Sequence, residues 1–173
     1  KDVARGAVAA IERGRVGGIR ISTRPDSLGP EQVARLARGG VTTVEIGCQS
    51  LDDAVLSACL RGHAAGIIET AVESCRVAQL TVGLQLMPGL PGASPDEAES
   101  SLRKALALQP DFMRIYPALV IEGTGLADLW RQGGYVPLGL EQAVEIVAGQ
   151  LLLCLDAGIP VIRVGLQQQT ELE

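Results

Sequence analysis

Asparagine is absent from this 173-residue sequence, lysine occurs twice, and phenylalanine, tyrosine and tryptophan together number four. Without asparagine there is no N-glycosylation sequon. A formal charge of −5 with so few rings makes the chain a poor candidate for a dedicated nucleic-acid binder, which would show a basic footprint and stacking platforms. No run approaches the ~18 consecutive apolar residues of a membrane span. The start, Lys1-Asp2-Val3-Ala4-Arg5, lacks the basic-then-apolar shape of a signal peptide. These absences predict a cytoplasmic protein with no membrane partner.

Closely spaced cysteines are also missing. Cys48, Cys59, Cys75 and Cys154 stand 11, 16 and 79 residues apart, so no pair has the two-to-four-residue spacing of zinc or iron–sulfur ligands. They read as small hydrophobes in a reduced core, and no metal ligand is expected in this chain.

What is present is an alternation of two periods. Short β-type runs fall at Ile19–Ser22, Thr43–Gly47, Val82–Leu86, Phe112–Tyr116 and Val161–Val164. Between them, apolar residues at three-and-four spacing predict helices over Asp2–Arg13, Pro30–Arg38, Asp52–Ala58, Gly66–Ala78, Pro95–Leu108, Gly125–Arg131 and Leu140–Ala157. Pro30 and Pro95 suit first helical turns, while Gly39-Gly40, Gly133-Gly134 and Gly158 suit helix stops. Repeated strand–helix units imply α/β architecture with parallel strands and right-handed crossovers, in a single domain over residues 1–173.

The strands are not apolar on both sides. Alternate residues place Ile19, Ile21, Val44, Ile46, Leu84, Met113, Ile115, Ile162 and Val164 on one face. Arg20, Ser22, Arg24, Glu45, Gln49, Gln85, Arg114, Tyr116 and Arg163 fall on the other. A doubly wound sheet would have to bury that second face under helices. A partial (β/α) barrel with a polar lumen fits better. The bland alternative is that these polar residues only pair with one another, Glu45 with an arginine.

Ligands of parallel α/β folds bind at the carboxyl ends of strands. There lie Cys48-Gln49-Ser50, Pro117-Ala118-Leu119, Gly165-Leu166-Gln167 and the turn Met87-Pro88-Gly89-Leu90-Pro91-Gly92. Two prolines stiffen that turn and two glycines admit close backbone approach, which suits a flat ring or simply a tight strand-to-helix connection.

At this point the residues resemble a known family. Gly18-Ile19-Arg20-Ile21-Ser22-Thr23-Arg24-Pro25-Asp26, then Val44-Glu45-Ile46-Gly47-Cys48-Gln49-Ser50, then Arg61-Gly62-His63 look like the radical S-adenosylmethionine (radical SAM) region of the Elongator catalytic subunit. So do Leu86-Met87-Pro88-Gly89-Leu90-Pro91 and the run Ile115-Tyr116-Pro117-Ala118-Leu119-Val120-Ile121-Glu122-Gly123-Thr124. Oxygen-independent coproporphyrinogen oxidase is a more distant likeness. The CxxxCxxC cluster loop of that superfamily and its glycine-rich second-strand motif have no counterpart in the sequence. The resemblance therefore implies the C-terminal two-thirds of a radical SAM barrel, lacking the N-terminal cluster-binding strands.

The cofactors implied are S-adenosylmethionine (SAM) and, in the parent protein, a [4Fe–4S] cluster whose ligands lie outside this chain. Carried over by position, Gln49 would meet the SAM ribose and Arg61, twelve residues on, the SAM carboxylate. Gln85 would help bind the ribose, Met87 would face the adenine, and Tyr116 would border it. Ser22 replaces a glutamate that relatives place near the cofactor. Arg114, Arg163, Arg24 and Glu45 are expected to face substrate. Taken without the resemblance, Arg61 is a solvated helix-end charge.

Two functions follow. In the first, the parent is an enzyme that cleaves SAM at the cluster to abstract hydrogen from an unknown substrate, a small molecule or, alternatively, tRNA. This chain then supplies SAM-binding and substrate-facing walls and is inactive alone. The second is a non-catalytic binding or scaffold module derived from such a barrel. A barrel begun at its third strand also leaves Ile19–Ser22 as an edge, which the chain is expected either to cover with its own N-terminal segment or to use for self-association.

Overall fold

A computed structural model describes residues 7–11 and 13–166. Five strands, β1 (Ile19–Thr23), β2 (Val41–Gln49), β3 (Thr81–Leu86), β4 (Phe112–Ile115) and β5 (Val161–Val164), form one sheet in the order β1-β2-β3-β4-β5. Every neighbouring pair is parallel. Six helices connect or flank them: α1 (Pro30–Arg38), α2 (Asp53–Ala58), α3 (Gly66–Val77), α4 (Pro95–Ala107), α5 (Gly125–Arg131) and α6 (Leu140–Asp156). Residues 7–11 are also helical, within the predicted Asp2–Arg13 helix, whose remaining positions 1–6 and 12 lie outside the described residues. Among the described residues no helix is long and apolar enough to cross a membrane.

The sequential order explains the one-sided layering. Each strand is added on the same side of the last, so right-handed crossovers all fall on one face. The helices cover that face and leave the other open, as expected for an open piece of a (β/α) barrel. Val44, Ile46, Leu84, Met113 and Ile115 are wholly buried on the covered side. Against them α3 packs Ile68, Ala71, Val72 and Cys75, and α4 packs Leu102 and Ala105, each set at helical spacing. Side-chain caps start three helices: Asp52 accepts from Ala54 and Val55 N–H, Ser94 from Glu97 N–H, and Thr124 from Ala127 N–H.

β1 and β5 are the edges of the described sheet. Along β5 one expectation fails. The register shifts between Met113 and Arg114, so Val161 pairs with Met113 but Arg163 with Arg114. The inserted residue, Ile162, leaves the helix face and lines the polar cavity beside Arg20 and Glu45. A bulge resets parity by one residue, which strict alternation could not anticipate. Val164, opposite Ile115, keeps its side but stays 46% exposed at the sheet edge.

Candidate functional site

The open face carries two cavities. The lower one, of about 440 Å³, is lined by Arg20, Ser22, Glu45, Arg114, Ile162 and Arg163. Glu45, in the middle strand region, is 3% exposed. One of its oxygens meets Arg20; the other meets Arg114 and accepts the Ser22 hydroxyl at 2.9 Å. Arg114 also donates to the Tyr116 hydroxyl and lies 4.8 Å above its ring. Burial first, then like charge, pulls two guanidinium pKa values down: Arg114 acts on Arg20, and Arg163 on Arg114. Pairing within the polar face is thus real for Glu45, and it is two-armed. Ser22, assigned by sequence to the cofactor side, forms one network with Glu45 and Arg114, assigned to the substrate side.

Phe112 completes the floor of this lumen. Its ring fills the space that a side chain at Gly83 would occupy, with Arg20 4.9 Å over its centroid. Sequence reasoning missed this contact. The signal was a glycine in an otherwise β-rich run, opposite an aromatic residue of the next strand.

The upper cavity, of about 540 Å³, opens at the carboxyl ends of β2 and β3. Gln49, Cys59, Arg61, Met87, Leu90 and Leu126 are among the residues lining it. Its shape follows from the end of β2. The β2–β3 register shifts between Gly47 and Gln49, and Gln49 adopts φ 69°, the left-handed region that non-glycine residues rarely enter. A Cβ at Gly47 would lie 2.7 Å from Gln49 Nε2, so only glycine lets that amide fold back over the strand. Gln85 Nε2 donates to Gln49 Oε1 at 3.3 Å.

Arg61 reaches the same end from beyond α2, donating from Nη2 to the Gly47 carbonyl at 3.0 Å. Its Nε–H is buried without an acceptor. Burial and then the Arg24 charge lower the Arg61 pKa. Arg24 donates to the Arg61 carbonyl and clasps Asp26 through two bonds of 2.9 and 2.7 Å. It is therefore engaged beside the upper cavity and lines neither. The Met87–Gly92 turn is braced from outside by Tyr135, whose hydroxyl donates to the Gly89 carbonyl at 2.6 Å.

The predicted residues divide accordingly. Gln49, Arg61 and Met87 converge on the upper cavity, with Gln85 bound to Gln49. Ser22, Glu45, Arg114 and Arg163 line the lower one, and Tyr116 joins it through Arg114. The cysteines do not converge. Cys48, Cys75 and Cys154 are buried and free, with thiols pushed up by burial to about 12, 11 and 11. Among the described residues no three His, Cys, Asp or Glu side chains could hold a metal ion together.

Residues 2–105 match the model of the radical SAM superfamily, and residues 110–173 that of the Radical_SAM C-terminal domain. The chain belongs to the radical SAM superfamily. Among its relatives, tRNA uridine(34) acetyltransferase of Methanocaldococcus jannaschii is 38% identical over 132 residues, 74% of this chain and 24% of that protein. Human Elongator complex protein 3 is 33% identical over 139 residues, 79% of this chain and 25% of that protein. This radical SAM chain thus spans about a quarter of the length of the curated relatives it matches. The solved archaeal Methanocaldococcus infernus Elp3, with an N-terminal deletion, superposes with a TM-score of 0.72 at 29% identity, over 89% of this chain and 36% of that one. Coproporphyrinogen III oxidase from Escherichia coli shares the fold at 16% identity, with a TM-score of 0.68 over 82% of this chain and 32% of that one. The family implies SAM and a [4Fe–4S] cluster.

Proposed function

We propose that the upper cavity holds SAM within a radical SAM enzyme of the Elongator type, with this chain supplying SAM-binding and substrate-facing walls. One observation carries the reading: Gln49, Arg61 and Met87, far apart in sequence, meet at one cavity where the Arg61 Nε–H is buried and lacks an acceptor. An orphaned buried donor costs about 1–3 kcal/mol, which a ligand carboxylate offsets. The cavity volume of about 540 Å³ lies within the usual span of small-molecule sites.

Arg61 would bind the amino-acid carboxylate as a charge-assisted pair. Gln49, oriented by Gln85, would present its amide to the ribose, and the Met87 segment would lie against the adenine. When bound, SAM and the reduced cluster supply one-electron radical chemistry. The cysteines described here do not fit the cluster: no three of them come together among the described residues, and burial keeps the Cys48, Cys75 and Cys154 thiols protonated. The lower cavity, with Arg114 and Arg163 opposite Glu45, would face the substrate. A uridine of tRNA is the substrate class favoured here, because proteins named for that uridine are more than 30% identical to this chain.

The test is isothermal titration of this chain with SAM. Arg61→Ala is expected to raise the dissociation constant about tenfold or more, the loss of one charge-assisted bond. Wild-type protein that binds no SAM, or an Arg61→Ala variant that binds it equally well, overturns the reading.

A further inference from the structure

The segment after Gln49 is gripped by one face of α4. Ser50 Oγ donates to Glu97 Oε1 at 2.6 Å, and Ser101 Oγ donates to the same oxygen at 2.5 Å. Each hydroxyl in turn accepts a backbone N–H: Asp52 N–H to Ser50 at 3.0 Å, and Leu51 N–H to Ser101 at 2.8 Å. Lys104 Nζ donates to the Leu51 carbonyl at 3.1 Å. Both backbone groups of Leu51 are therefore held by α4. Glu97, Ser101 and Lys104 stand four and three residues apart, so they share one face of the helix. Ser50 and Ser101 are only 2% and 3% exposed.

The choice made by Glu97 is informative. Ser94-Pro95-Asp96-Glu97 is a capping-box sequence, in which the glutamate would ordinarily reach back to the Ser94 N–H. The Ser94 half forms, its hydroxyl accepting from Glu97 N–H at 3.1 Å. The Glu97 carboxylate instead turns to the two serines. On its other side the gripped segment adjoins the least comfortable backbone of the sheet, Gln49 at φ 69°. Such a conformation persists only where its surroundings over-determine it. Downstream, Asp52 caps α2, which leads to Arg61.

We propose that Glu97 is a positioning residue for the upper cavity. Through Ser50 and Ser101 it fixes residues 50–52, so that Gln49 keeps its left-handed conformation and α2 keeps Arg61 at the Gly47 carbonyl. The proposal rests on the reading of that cavity as a SAM site, but its first readout needs no ligand.

The experiment compares Glu97→Ala, Glu97→Gln and Ser94→Ala in this chain by backbone NMR shifts at Gln49, amide exchange at Leu51 and Asp52, and titration with SAM. Glu97→Ala is expected to move the Gln49 shifts out of the left-handed range, speed both amides about tenfold and weaken SAM about tenfold. Glu97→Gln keeps an Oε1 acceptor and stays within about twofold of wild type on all three. Ser94→Ala loses the cap and lowers the melting temperature while leaving Gln49 and SAM affinity unchanged. Unchanged Gln49 shifts in Glu97→Ala, or equal disturbance by Ser94→Ala, overturn the proposal. If wild-type protein binds no SAM, the cavity reading fails while the Gln49 shifts still judge the clamp. Should Glu97→Ala not fold, Ser50→Ala carries the same expectations.

Discussion

Gly83→Ala probes the floor of the lumen with a single added methyl. An ideal Cβ at Gly83 lies 2.0 Å from Phe112 Cε2 and 2.1 Å from Cζ, well inside van der Waals contact. Gly83 has no positive φ, so backbone strain does not enter. The ring, 8% exposed, must swing away, and it loses Arg20 from its face. Overpacking of this kind costs about 1–3 kcal/mol. The lost cation–π contact adds about 0.5–1 kcal/mol. Replacing a strand glycine by alanine returns about 0.5–1 kcal/mol of backbone entropy. The net is a loss of about 2 kcal/mol, a fall of roughly 4–8 °C in melting temperature for a chain of this size. Thermal and urea unfolding of Gly83→Ala, Phe112→Leu and the double variant measure it. The smaller side chain at 112 should relieve the clash, so the double variant is more stable than the sum of the singles predicts by about 1 kcal/mol or more. A neutral Gly83→Ala, or strictly additive singles, would refute the placement of Phe112 across the lumen floor.

Further outcomes follow from the charges and thiols around the upper cavity. The Arg24 hydrogen bonds hold the Asp26 carboxyl below its ordinary pKa. A carboxylate depressed in the folded state contributes stability above its unfolded pKa and loses it as the pH falls through the folded value. Arg24→Gln should therefore raise the Asp26 midpoint in an NMR titration; an unmoved midpoint counts against the clasp. Burial raises all four thiols, but Cys48, Cys75 and Cys154 are fully buried and Cys59 only partly, so alkylation of native protein near pH 8 should mark Cys59 first. Because Cys59 lines the upper cavity, SAM should slow that labelling, as peptide mass spectrometry would detect.

Local pattern carried much of this protein. The two-residue period of Ile19–Thr23 and Thr81–Leu86 and the helical spacing of Ile68, Ala71, Val72 and Cys75 are properties of contiguous residues. They set the element order and the polarity of each face before any strand meets another. Motif order likewise placed Gln49, Arg61 and Met87 in a radical SAM framework. Tertiary structure decided what depends on a neighbouring chain segment. Ile162 entered the lumen because a register shift against β4 inserted one residue. The Ser94–Glu97 pattern reads as a cap in isolation, yet Glu97 bonds serines brought to it by the end of β2. Gln49 reads as an ordinary strand residue, but the bulge beyond Gly47 turns it left-handed. Glu45 could be paired with any of several arginines on paper. Only the alignment of β1 and β4 on either side of the β2–β3 pair gave it Arg20 and Arg114 together, because a buried carboxylate takes the charges that packing brings within reach.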